Sequence, residues 1–212
     1  MISLRVGGVA VSVHPLALLL MALAAAMGAG GMLLPICAAL ALHEAGHLIA
    51  ARGLGVRVYA ISLMPFGGAV QLANVYALSP ARLFAVAFAG PLFSLLGALG
   101  ALALAAMPAC APFAIGFFRV NVTLMLFNLL PALPLDGGRM LYALLVRPLG
   151  PERALTLGIG LGRVAASSLA IAAIWGFVAV HRLNISLLAC AVFLLSSTGE
   201  EREALWEARV GQ

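Results

Sequence analysis

Charge is what this chain most lacks. Only 9% of its 212 residues are Asp, Glu, Lys or Arg, while 64% are hydrophobic and the mean hydropathy is +1.15. A soluble domain is nearer a quarter charged and half apolar. So few charges cannot cover a water-facing surface, which excludes soluble enzymes, nucleic-acid binders and disordered proteins. The net charge of +5 does not reopen the nucleic-acid reading. Every basic residue is an arginine, and the arginines sit between apolar runs instead of clustering on one face. Positive residues mark cytoplasmic loops in that way. Cysteine is scarce as well. Cys37, Cys110 and Cys190 are odd in number, far apart and form no C-x-x-C pair, so neither a disulfide framework nor a thiolate zinc site is indicated.

What the chain does have is long, continuous runs rich in Leu and Ala. They predict an all-α polytopic membrane protein, because a membrane β-barrel would alternate apolar and polar residues in short segments. Runs cover about residues 15–27, 32–51, 81–107, 113–135, 155–180 and 185–197. The last is short of the roughly 20 residues a span needs, yet six spans are the expectation. Leu16 to Leu23 resembles the apolar part of a secretory signal. The weakly charged segment before it argues for a retained span instead. Residues 52–80 differ from the runs, with several Gly, Pro65 and polar residues such as Gln71 and Asn74.

Arginine placement sets the expected topology. With a cytoplasmic N-terminus, the inside segments hold Arg5, Arg52, Arg57, Arg82, Arg139, Arg147, Arg153, Arg202 and Arg209, while the outside turns hold Arg182. That bias predicts both termini in the cytoplasm.

The acidic residues narrow the chemistry. Glu200, Glu201, Glu203 and Glu207 lie in the tail and Glu152 in a loop. Glu44 and Asp136 remain, one within an apolar run and one at the end of another, and Asp136 is the single aspartate. Ionisable groups at membrane depth are costly, so they are read as functional and should be paired or metal-bound. Glu44 belongs to His43-Glu44-Ala45-Gly46-His47, an H-E-x-x-H. On a helix the two histidines are one turn apart, about 6 Å along the axis, so both imidazoles can reach one zinc ion. Glu44 stands beside them, placed to take a proton from the attacking water and pass it to a leaving amine. A catalytic zinc wants a third protein ligand. The candidates are His14, His181, Glu152 and Asp136. The second and fourth runs both end toward the cytoplasmic side, which sets Asp136 at the depth of His47. His181 falls on the outer side. His14 shares the inner depth but reads equally well as an interfacial anchor.

A second motif completes the pattern. Asn128 to Gly137 reads N-x-x-P-x-x-x-x-D-G. Together with the H-E-x-x-H in a membrane helix, it resembles the site-2 protease family of intramembrane zinc metalloproteases. The resemblance implies one zinc per chain held by His43, His47 and Asp136, with Glu44 as the catalytic base. It implies that Asn128 sits near the scissile bond or the oxyanion. Gly90-Pro91-Leu92-Phe93-Ser94 is similar to the G-x-x-x-N/S/G motif of the family's third core helix. Val56 to Leu72, with Phe66, Gly67 and Gly68, resembles the membrane-dipping β-loop after the second helix, which receives an extended substrate. The likeness is greatest to the six-span sporulation branch, stage IV sporulation protein FB, and covers about residues 1–198. It implies a membrane-associated protein substrate such as a pro-sigma factor, an inhibitory membrane protein as a further partner, and the lipid bilayer as surroundings. Residues 199–212 are expected to form a short interfacial tail in place of a CBS domain, with Thr198 and Glu201 as a capping box and no PDZ insertion. The rival reading is a zinc transporter using the same polar residues. A transporter needs polar groups at several depths, and here they gather at one. An inactive scaffold is disfavoured by the intact Glu44.

Overall fold

The computed structural model describes residues 2–6, 9–13, 15–64, 67–72, 75–181 and 184–210. These residues divide into two units, Met1–Ala73 with Ala85–Asn128, and Asn74–Phe84 with Leu129–Gln212.

The first unit opens with strands β1 (Ile2–Val6) and β2 (Val9–Val13) and helix α1 (Pro15–Ala24). A π-helical turn, Ala25–Ala29, leads into α2 (Gly30–Gly53), and Gly28 takes a positive φ of 83° at the join. Strands β3 (Val58–Met64) and β4 (Gly67–Leu72) follow. The sheet order is β1-β2-β3-β4, antiparallel except for the parallel β2–β3 pair. A hairpin therefore follows the second helix. The β1–β2 hairpin is an addition to the all-α expectation. Its parallel register with β3, Ala10 opposite Ala60, joins residues far apart in sequence.

Helix α2 ends in a defined way. Gly55 adopts φ +70°, the Val56 amide donates to the Ala51 carbonyl at 2.8 Å and the Gly55 amide to Arg52 at 3.1 Å. This Schellman closure satisfies carbonyls that the helix end would otherwise orphan. Along α2, Pro35, Ala39, His43, His47 and Ala51 recur every four residues and are buried, while Leu34 and Ile49 are exposed. Small and polar residues inside, large apolar ones outside, is the packing logic of helices in lipid. Helices α3 (Pro80–Ala105) and α4 (Ala111–Asn128) complete this unit, α3 having begun in the second.

In the second unit, a 3₁₀ turn (Val75–Ala77) precedes α5 (Asp136–Leu149), α6 (Pro151–Val180), α7 (Ile185–Ser196) and α8 (Thr198–Val210). Its core joins Leu83, Leu133, Tyr142, Leu155, Ile159 and Leu205. The apolar run expected to continue to Leu135 is in fact broken. Helix α4 stops at Asn128, and Leu129–Leu135 is a turn containing Pro131 and Pro134. Proline lacks an amide hydrogen and blocks helix continuation. Asp136 thus opens a helix instead of closing one.

Among the described residues, four helices are long and apolar enough to cross a membrane: Ala25–Gly53, Pro80–Ala105, Ala111–Asn128 and Pro151–Ala179. Helices α1 and α7 have 10 and 12 residues. They rise about 15 and 18 Å at 1.5 Å per residue, each less than the roughly 30 Å hydrocarbon core.

Candidate metal centre

His43 and His47 stand on the buried stripe of α2. Their rings meet edge to face with centroids 4.9 Å apart, and their Nε2 atoms are 3.2 Å from each other. The opposite ring nitrogens are anchored on α3. His47 Nδ1 faces the Val86 carbonyl at 2.8 Å. A carbonyl can only accept, so Nδ1 carries the hydrogen and Nε2 keeps its lone pair. His43 Nδ1 meets the fully buried Ser94 hydroxyl at 2.9 Å. A hydroxyl accepts as readily, so both Nε2 atoms can present lone pairs to one cation. Two nitrogens at about 2.05 Å from a tetrahedral zinc stand about 3.3 Å apart, close to the spacing seen. Anchoring the far nitrogen is how proteins orient metal-binding histidines.

The space for this pair comes from glycine. A Cβ at Gly90 would lie 2.2 Å from His47 Nε2 and 2.7 Å from His43 Nε2. A Cβ at Gly46 would lie 2.6 Å from the Ala89 carbonyl oxygen. The α2 and α3 backbones can therefore approach closely, and the imidazoles fill the cradle.

Asp136 is the first residue of α5, and no side chain caps that helix. A carboxylate is favoured at a helix N-terminus by the dipole there. The turn before it folds back on itself: the Ala132 amide donates to Leu130, the Leu135 amide to Ala132, and the Leu133 amide to the Gly158 carbonyl on α6 at 3.2 Å. A Cβ at Gly137 would lie 2.4 Å from the Leu129 and Leu130 carbonyl oxygens, and one at Gly138 2.4 Å from the Leu133 amide nitrogen. The D-G pair of the motif thus needs its glycine because backbone passes against it.

His43 and His47 in the first unit and Asp136 in the second are each buried. Two imidazoles and a carboxylate are a zinc-type set. The alternatives for the third ligand fare differently. Glu152 and His181 are exposed at the two ends of α6, and His14 lies outside the described residues. Glu44 is buried on α2 beside the pair. Asn128 closes α4, and its side-chain amide donates to the Leu124 carbonyl of its own helix at 3.0 Å. Gly67 and Gly68 open β4, opposite Met64 and Leu63, while Phe66 lies outside the described residues. Two participants escaped the sequence reading. Ser94 was visible only as a motif position, and the Val86 carbonyl left no signal in the sequence.

Three comparisons agree with this geometry. Residues 31–118 match the model of peptidase family M50. Rip3 of Mycobacterium tuberculosis, named as a zinc metalloprotease, is 39% identical over 187 residues, 84% of this chain and 47% of Rip3. Stage IV sporulation protein FB of Bacillus subtilis is 31% identical over 150 residues, 70% of this chain and 52% of its own length. The chain thus spans about half the length of these relatives. Among solved structures, the site-2 protease of Methanocaldococcus jannaschii shares the fold, with a TM-score of 0.72 at 23% identity, covering 94% of both chains. The H-E-x-x-H on a buried helix face, the zinc-type donors and these likenesses mark the chain as a relative of the site-2 proteases, with the peptidase family M50 match over residues 31–118.

Proposed function

We propose that the protein is an intramembrane endopeptidase that cleaves a membrane-associated protein, with His43, His47 and Asp136 holding one zinc ion and Glu44 as the general base. The observation that carries this is the pair of Nε2 atoms 3.2 Å apart, each ring anchored on its far side. Zinc bound there supplies Lewis acidity toward a peptide carbonyl and a water molecule. Glu44 accepts the proton of the attacking water and delivers it to the departing amine. Asn128 has a second amide hydrogen beyond the one given to Leu124, and in this reading it steadies the substrate carbonyl or the oxyanion. The extended substrate lies along the β3–β4 hairpin, gaining backbone hydrogen bonds as an added strand does. That reading is supported by β4 being at an edge of the sheet. A pro-sigma factor is one candidate substrate and an inhibitory membrane protein one candidate partner, both supported by the likeness to the sporulation protein.

The test is co-expression with candidate membrane-associated pro-proteins. Wild type should yield a shortened product, and Asp136→Asn should lose zinc and product together. A cysteine at Gly67 should crosslink to one scanned through the cleavage region. Full cleavage by Asp136→Asn would refute its assignment as ligand, and the absence of any crosslink, where distant control pairs do react, would make the hairpin a connector.

The arginine distribution further supports cytoplasmic termini, with the site reached from that side. Counting all six apolar runs as crossings, a reporter fused after Ala109 should read as outside and one after residue 150 as cytoplasmic. A cytoplasmic signal at Ala109 would overturn this orientation.

A further inference from the structure

The second unit carries a polar cluster that the proposed chemistry does not use. Glu201, on the first turns of α8, is buried. One of its carboxylate oxygens accepts from the Tyr76 hydroxyl and the other pairs with Arg139 at 3.3 Å. Tyr76 packs edge to face on buried Tyr142, with ring centroids 4.7 Å apart. Leu205 and Ala208 continue the inner face of α8 and are buried, whereas Trp206 is exposed. The Glu201 carboxylate is therefore not spent on the expected capping box.

Arg139 is three residues from Asp136, one turn along α5. Its backbone amide donates to the Leu135 carbonyl at 3.1 Å. Burial works against the Arg139 cation, but the Glu201 charge, with smaller contributions from Tyr76 and Asp136, raises its pKa and keeps it charged. Burial first, then the Glu201 charge, raises the Tyr76 phenol well above its ordinary value, so it remains a donor. The first turn of α5 is thus gripped on two sides. The turn 129–135 presses its backbone against Gly137 and Gly138, and α8 reaches Arg139 through Glu201.

We propose that α8 is a positioning element for the metal ligand Asp136, and that Glu201 acts through Arg139 to set the placement of that carboxylate. This rests on the reading of Asp136 as a zinc ligand. Glu201 is a positioning residue and touches neither zinc nor substrate. Groups surrounding a metal ligand typically change affinity about 10- to 100-fold when altered. Glu201 acts one step further out, so the lower end applies.

The experiment measures zinc affinity of purified protein by competition with a chelator, alongside apo-protein melting. Glu201→Gln keeps the shape and can still accept from Tyr76, but loses the charge that holds Arg139. It should bind zinc about tenfold more weakly, and the apo protein should melt lower than wild type because Arg139 loses its charge partner. Glu203→Gln, on the exposed face of α8, should bind as wild type does. Glu201→Gln and Arg139→Gln combined should cost little more than either alone, because both remove one coupling. Should Glu201→Gln fail to fold, Tyr76→Phe keeps the ion pair and should weaken zinc by a smaller factor. Wild-type zinc affinity in the folded variant, or fully additive losses, would overturn the proposal. Asp136→Asn in the same assay separates the two readings. If it keeps zinc, the ligand assignment fails; if it loses zinc while Glu201→Gln does not, only the role of α8 fails.

Discussion

Glu44→Gln should leave one zinc per chain in place and slow cleavage by about 10⁴-fold. General acid–base groups contribute roughly 10²- to 10⁴-fold, and this one also orients the attacking water, which argues for the upper end. Zinc should stay because the imidazoles that face each other belong to His43 and His47, and their anchors on Ser94 and Val86 are untouched. Gln matches Glu in size, so the packing around α2 is kept. His43→Ala and His47→Ala should differ sharply, losing metal and product together. Elemental analysis counts the zinc and a gel follows the product. Near wild-type cleavage by Glu44→Gln would refute the mechanism. Vesicles that accumulate zinc, with no cleavage even by wild type, would favour the transporter.

Gly90→Ala changes no ligand, yet it should lower zinc affinity about 100-fold, the upper end for groups bordering a metal ligand, and abolish cleavage with it. The added methyl would sit 2.2 Å from His47 Nε2 and 2.5 Å from Cε1. The imidazole cannot simply swing aside, because doing so breaks its bond to the Val86 carbonyl and frees the wrong nitrogen. Chelator competition on detergent-purified protein reads the effect directly. Undiminished zinc binding would mean that the imidazoles do not lie against α3 as described. Gly100, on the same helix, has open space at its Cβ position. Its alanine variant is the control and should bind normally.

Much of this site was legible before any fold was known, and the reasons are local. His43, Glu44 and His47 occupy one helix, where a spacing of four places side chains on one face whatever surrounds it. Their burial in an apolar run needs only composition. The segment after α2 was set apart by its glycines and mixed polarity, but a β-loop there was implied only by the family resemblance. Less was legible where strands and turns depend on distant partners. β1 and β2 are five residues each, too short for alternation to distinguish them from a loop. Pro131 and Pro134 were visible, but the apolar character of 129–135 masked the helix break. Glu201 read as a capping residue because Thr198 lies three positions before it. Its actual partners, Tyr76 and Arg139, are 125 and 62 residues away.

The sequence alone determined that this chain belongs in a membrane and that one helix carries a zinc-type histidine pair with a carboxylate beside it. Hydropathy and helical period act over a few turns of chain and need no partner. Only the tertiary structure decided which nitrogen of each imidazole is anchored on α3 and which partners Arg139 finds. Those outcomes depend on a carbonyl of Val86, a hydroxyl of Ser94 and a carboxylate of Glu201 arriving within hydrogen-bond or ion-pair distance. Such approaches are set by how closely packed elements can pass. At α2 and α3, glycines at 46 and 90 leave the room that makes the contact possible.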